Sequence, residues 1–123
     1  MEKQRVVYVG LEPSLVDFSS LPGLDAEKVR AGIRAELERL AAAGYDATFV
    51  GVDLGETAAR TLADALSTSR VDCVVIGAGV RTLPEHLALF EQLVNAVLSA
   101  APTARLAFNT KPGDTLDAVR RWI

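Results

Sequence analysis

Cysteine is nearly missing from this chain. Cys73 stands alone in 123 residues, which excludes an internal disulfide framework and a thiolate metal site and fits a reducing compartment. Histidine is equally scarce, so His86 is the single candidate for imidazole chemistry. Long apolar runs are missing as well. Met1 to Arg5 leads into only four apolar residues, Val6 to Val9, before Gly10, too short for a signal peptide or a membrane span. The expectation is a cytoplasmic protein with no membrane partner. Charge of one sign is also lacking: 13 basic against 16 acidic residues leave a net charge of -3, without the basic footprint of nucleic-acid binding.

The composition that remains, 50% hydrophobic and 24% charged, is that of a folded chain with one core, and 1–123 reads as a single domain. Arg5 to Gly10 is a β-branched and aromatic run closed by glycine, a strand buried on both faces. Leu11 to Leu24 carries two prolines and a Pro-Gly pair and reads as a long irregular loop, of the kind that is often functional. Asp25 caps a helix to about Ala43 that buries Val29, Ile33, Leu37 and Leu40, turns Lys28, Arg30, Arg34, Glu36, Glu38 and Arg39 outward, and ends at Gly44. Ala47 to Val52 is a second strand, followed after Asp53 to Thr57 by a helix to about Thr68 that buries Ala58, Leu62, Ala65 and Leu66. Val71 to Gly77 is a third strand, Leu83 to Ala100 a helix, Arg105 to Asn109 a fourth strand, and Asp114 or Thr115 opens a last helix through Leu116, Val119, Trp122 and Ile123.

Strands alternating with helices imply right-handed βαβ units. The expected fold is α/β: a three-layer α/β/α domain with a four-stranded parallel doubly wound sheet, order 2-1-3-4, flavodoxin-like or Rossmann-like. In that order the winding reverses between strands 1 and 3, and the crevice above their carboxyl ends is the expected ligand position.

Four segments meet at that edge, and they supply the candidate ligand-binding residues Gly10, Glu12, Asp53, Gly77, Gly79, Arg81, Asn109 and Lys111. In the run from Gly77 to His86 two glycines let backbone amides approach an anion, a helix start follows, and Arg81 offers a planar fork. The same residues also suit a tight turn, with Thr82 and Glu85 as a capping box around Pro84. The three-glycine dinucleotide fingerprint and a Walker-type lysine are both missing, so no cofactor is specified. His86, near a helix start, is the candidate catalytic base, with Glu12 or Asp17 as its acid partner. Ser14, Ser19 and Ser20 lack a Gly-x-Ser-x-Gly elbow. Asp53 suits either a ligand hydroxyl or a cap on the next turn, and Cys73 reads as a small core hydrophobe. No set of residues spells a metal site.

Val6 to Pro13 resembles the first strand and acidic turn of response-regulator receiver domains, and Asn109 to Pro112 resembles their lysine-proline turn. The chain departs from that pattern where receivers carry paired acids, here Gly10 and Leu11, and a phosphoacceptor aspartate, here Gly77, and it has one βα unit fewer. The resemblance implies a shared scaffold without Mg²⁺-dependent phosphorylation. The segments Val16 to Ser19, Val52 to Ala58, Asp72 to Arg81 and Phe108 to Asp114 resemble a group of small uncharacterised bacterial single-domain α/β proteins, which implies a free-standing domain and no particular activity.

The helix from Leu83 shows one apolar stripe through Leu87, Phe90, Val94 and Val97 and a second through Leu89, Leu93, Ala96 and Ala100. This is wider than a sheet-facing helix requires, and it suggests a homodimer through the second stripe. Three functions follow: a module binding a small anionic or phosphorylated metabolite at the carboxyl edge, a small hydrolase or proton-transfer enzyme using His86, or a ligand-free scaffold acting on protein partners.

Overall fold

The structure, a computed structural model, describes residues 2–123. Its elements are β1 (Arg5–Leu11), α1 (Ala26–Ala42), β2 (Asp46–Val52), α2 (Ala58–Leu66), β3 (Cys73–Ile76), α3 (Ala78–Arg81), α4 (Leu87–Ala100), β4 (Arg105–Phe108) and α5 (Thr115–Arg120). Short 3₁₀ turns cover Pro13–Leu15 and Pro84–His86. All strand pairs are parallel and the order is β2-β1-β3-β4, a three-layer flavodoxin-like sheet as the alternation of elements predicts.

Alternation along the strands sorts the core into two halves. Val7, Val9, Val74 and Ile76 point to one face and pack with Ala58, Leu62 and Leu66 of α2, Val80 of α3, and Leu89, Leu93 and Val97 of α4. Val6, Tyr8, Cys73, Val75 and Ala107 point to the other, under Leu40 of α1 and Ala118 and Val119 of α5. Cys73 is fully buried, and burial, with the charge of Asp72 adding to it, pushes its thiol up to about 11. That is a core position with no thiolate at neutral pH.

Five details differ from the sequence reading. The segment after β3 is a single helical turn, α3, followed by a 3₁₀ turn, and α4 starts only at Leu87. The capping box does not form, because the Thr82 hydroxyl donates back to the Ala78 carbonyl at 2.8 Å. The last helix ends at Arg120 and leaves Trp122 exposed, while Ala118 and Val119 enter the core. On α4 the second stripe, the one that suggested a dimer, is the buried one: Leu89 and Leu93 pack into the core shared with α2, and Phe90 and Val94 lie against its margin.

Glu36 is the fifth difference and the least expected. It is only 2% exposed, one oxygen meets Arg39, and the other is buried without a partner. Because a buried carboxylate is a net liability unless all of its lone pairs are satisfied, Glu36→Met is expected to raise the unfolding free energy by about 1 kcal/mol. Urea unfolding at neutral pH measures this, and a loss of stability would show that the second oxygen has a partner in solution.

Candidate functional site: the carboxyl edge of the sheet

Parallel strands bring the β1–α1, β2–α2, β3–α4 and β4–α5 connections to one edge, and each is held by its own side chains. Asn109 joins two of them. Its carbonyl oxygen accepts the Ala78 N–H at 2.8 Å, and its amide nitrogen donates to the Thr115 hydroxyl at 3.0 Å. It is 1% exposed, so the amide is a staple between β3–α3 and β4–α5. Arg81 completes the same junction. One guanidinium nitrogen donates to the Asn109 backbone carbonyl, the group lies 5.5 Å from the Phe108 ring centroid, and its Nε is buried without a partner.

Gly77 stands at a close approach between β3 and β1. A Cβ there would sit 3.3 Å from the Tyr8 ring and 3.3 Å from the Val9 carbonyl oxygen, while the Gly77 N–H donates to that carbonyl at 2.9 Å. Tyr8 thus fills the space beneath the switch point. Burial pushes its phenol upward, a hydrogen bond to Asn109 partly offsets this, and the nearby charge of Glu36 adds to it. Gly79 is exposed, and a Cβ there would meet nothing. Its carbonyl faces His86 Nδ1 at 3.2 Å. A carbonyl only accepts, so Nδ1 is the donor in this contact.

Glu12 and Gly10 belong to a separate corner at β1 and β2. Gly10 pairs with Gly51, and the Phe49 ring lies beside both. The Glu12 carboxylate accepts from Arg30 at 2.7 Å and from the Ser14 hydroxyl at 3.3 Å. Partial desolvation pushes its pKa up, but the bonds from Arg30 and Ser14 outweigh this and the net shift is downward. This corner is on the α1 face, whereas His86 precedes α4 on the opposite face, and no hydrogen bond or ion pair joins His86 to Glu12 or Asp17 among the described residues. The acid–base pair considered from sequence is therefore not assembled in this conformation.

Asp53 accepts from the Gly55 N–H at 3.0 Å and from the Thr57 hydroxyl at 2.6 Å, and the Thr57 bond, followed by that from Gly55, lowers its pKa. Asp114 closes the last loop in the same way, through the Thr110 hydroxyl and the N–H groups of Thr110 and Lys111. Asp17 holds the Ser19 N–H at 2.9 Å, which lowers its pKa. Lys111 is exposed and forms no ion pair among the described residues. The structure thus unites Gly77, Gly79, Arg81, His86 and Asn109, keeps Gly10 and Glu12 at a corner of their own and Asp53 in its own loop, and gives Lys111, in the loop after Asn109, no ion pair among the described residues.

The loops present something that their polar residues do not announce. Eight large apolar side chains are exposed among the described residues, and six of them, Leu15, Leu21, Leu24, Leu54, Leu83 and Leu87, belong to the segments leaving β1, β2 and β3. The sequence signal was available, since Leu15, Leu21 and Leu24 interrupt a Pro/Gly-rich loop with no periodicity to bury them. Carboxylates stand between the leucines: Asp17, Asp25, Asp53, Glu56 and Glu85.

Two cavities lie away from the switch point. One of about 200 Å³ is bounded by Glu12, Pro13, Arg30, Ile33, Arg34 and Phe49. Another of about 690 Å³ opens at the amino edge beside Lys3, Arg5, Tyr45, Asp46 and Arg70, where Arg5 meets Asp46 at 3.8 Å and Arg70 meets Asp72 at 3.4 Å. Among the described residues, no group of three or more His, Cys, Asp or Glu is placed to hold a metal, and no helix is long and apolar enough to cross a membrane. No protein-family model matches the chain, and no curated protein matches it.

Proposed function

We propose that the domain is a protein-interaction module whose carboxyl edge docks a partner segment rich in apolar and basic residues. The placement of six of the eight exposed large apolar side chains among the described residues in the loops of that edge carries this reading, because an edge that gathers exposed apolar side chains is a candidate interaction surface. The occupant's charge follows from the rim. Asp17, Asp25, Asp53, Glu56 and Glu85 stand in the same loop segments as the leucines, and the lowered pKa values of Asp17 and Asp53 keep those two ionised at neutral pH. An acidic rim favours a cationic partner and opposes an anionic metabolite. The groups that would hold such a metabolite are also engaged within the fold, namely both ends of the Asn109 amide and part of Arg81.

A peptide-display selection against wild type and the triple variant Leu54→Glu, Leu83→Glu, Leu87→Glu tests the proposal. Wild type is expected to enrich apolar, basic peptides that bind the variant at least about tenfold more weakly, with the variant's stability nearly unchanged because all three positions are exposed. Peptides that bind both proteins equally would overturn the reading. So would self-association of wild type through the rim, which sedimentation would reveal. A rise in thermal midpoint with inorganic phosphate, lost in Lys111→Ala, would instead restore the small-anion function.

A further inference from the structure

We propose a second site, independent of the leucine rim: the cavity between β1, β2 and α1 binds a small zwitterion, one ammonium and one carboxylate on an aliphatic body, as in a free aliphatic amino acid. The cavity holds about 200 Å³, the volume of roughly seven waters. Its apolar surface comes from Pro13, Ile33 and Phe49, and its charge from Glu12, Arg30 and Arg34.

The negative pole is held in place. Glu12 Oε1 takes the bonds from Arg30 Nη2 at 2.7 Å, the Ser14 hydroxyl at 3.3 Å and the Ser14 N–H at 3.5 Å, and Oε2 takes none among the described residues. That free oxygen occupies the space over Gly51, where a Cβ would stand only 2.7 Å away. Glycine at this strand position leaves room for the carboxylate. The positive pole is Arg34, one turn along α1 from Arg30 and without an ion pair among the described residues. Arg34 lines the same cavity as Glu12, so one small, partly apolar space is bordered both by a carboxylate oxygen without a bond and by an arginine without an ion pair among the described residues. Glu12 Oε2 accepts from the ammonium, Arg34 donates to the carboxylate, and the aliphatic body lies on Phe49 and Ile33. A lone anion would leave Glu12 Oε2 unmatched, and a lone cation would leave Arg34 so.

Titration of the isotope-labelled chain, followed by amide chemical shifts, decides between these. L-leucine is expected to produce saturable shifts around Glu12 and Arg34. Its two single-charge analogues, 4-methylpentanoate and 3-methylbutylamine, should bind at least about tenfold more weakly, as should L-leucine to Glu12→Gln or Arg34→Ala, since a charge-assisted hydrogen bond is worth about a factor of ten or more. Gly51→Ala, folded by circular dichroism, should lose L-leucine binding because its methyl takes the place of Oε2. Equal affinity for 4-methylpentanoate and L-leucine would reduce the site to an arginine anion site and overturn the proposal, as would the absence of saturable shifts at millimolar L-leucine or undiminished binding by Gly51→Ala.

Discussion

Asn109→Ala is expected to lower the unfolding free energy by about 3 kcal/mol and the thermal midpoint by roughly 10 °C. The side chain is buried and both ends are bonded. Its loss orphans the Ala78 N–H inside the fold, opens a void between the β3–α3 and β4–α5 connections, and releases the Thr115 hydroxyl. Arg81 would then lean on a backbone no longer fixed from both sides. Asn109→Asp separates hydrogen bonding from charge, because the Thr115 hydroxyl can turn and donate to a carboxylate. Burial favours the neutral acid and raises its folded-state pKa, so this variant's deficit should be small at low pH and grow as pH rises through the carboxylate range. Calorimetry of both variants across pH measures the two effects. A midpoint unchanged in Asn109→Ala would mean that the amide does not hold the loops together in solution.

Leu93→Ala should destabilise by a comparable amount, about 3 kcal/mol. The leucine is fully buried where α4 packs with α2 over β1 and β3, and neighbouring helices collapse only partly around a deleted side chain. Leu98→Ala, at an exposed position of the same helix, should stay within about 0.5 kcal/mol of wild type. The contrast tests the role of the α4 stripe containing Leu89 and Leu93. If that stripe were a dimer interface, the loss from Leu93→Ala would depend on protein concentration, and sedimentation would show dissociation. A core position gives the same loss at every concentration.

The sheet order was legible because each β-branched run is followed by a helix with a clear stripe, and handedness leaves few ways to wind such units. Glu36 was not. Its position fits the stripe through Val29, Ile33 and Leu40 as well as Leu37 does, so helical periodicity alone cannot choose between them, and its charge assigned it wrongly to solvent. The entry to α4 was misread for a related reason. Thr82 with Glu85 has the spacing of a capping box, but Thr82 bonds backward to Ala78 in a turn that periodicity does not detect. At the candidate site, sequence located the edge and most of the residues on it, yet not their engagements. Asn109 looks the same in one dimension whether its amide meets a ligand or bridges two loops. The gathering of exposed leucines in the loops of one edge also required the fold, because positions 15, 54 and 87 come to the same edge only when three parallel strands end together.

The carboxylates of Asp17, Asp53 and Asp114 each close the loop in which they stand. The carboxyl edge is therefore built from loops that are already ordered before anything binds. Were a partner segment to dock at this edge as proposed, loops closed in this way would have little to reorganise, and the ordering would fall to the partner: a flexible segment would lose its freedom, and a preformed helix of matching shape would lose much less. Selectivity at this edge would then follow how ready a segment is to take up one shape, as much as which residues it carries.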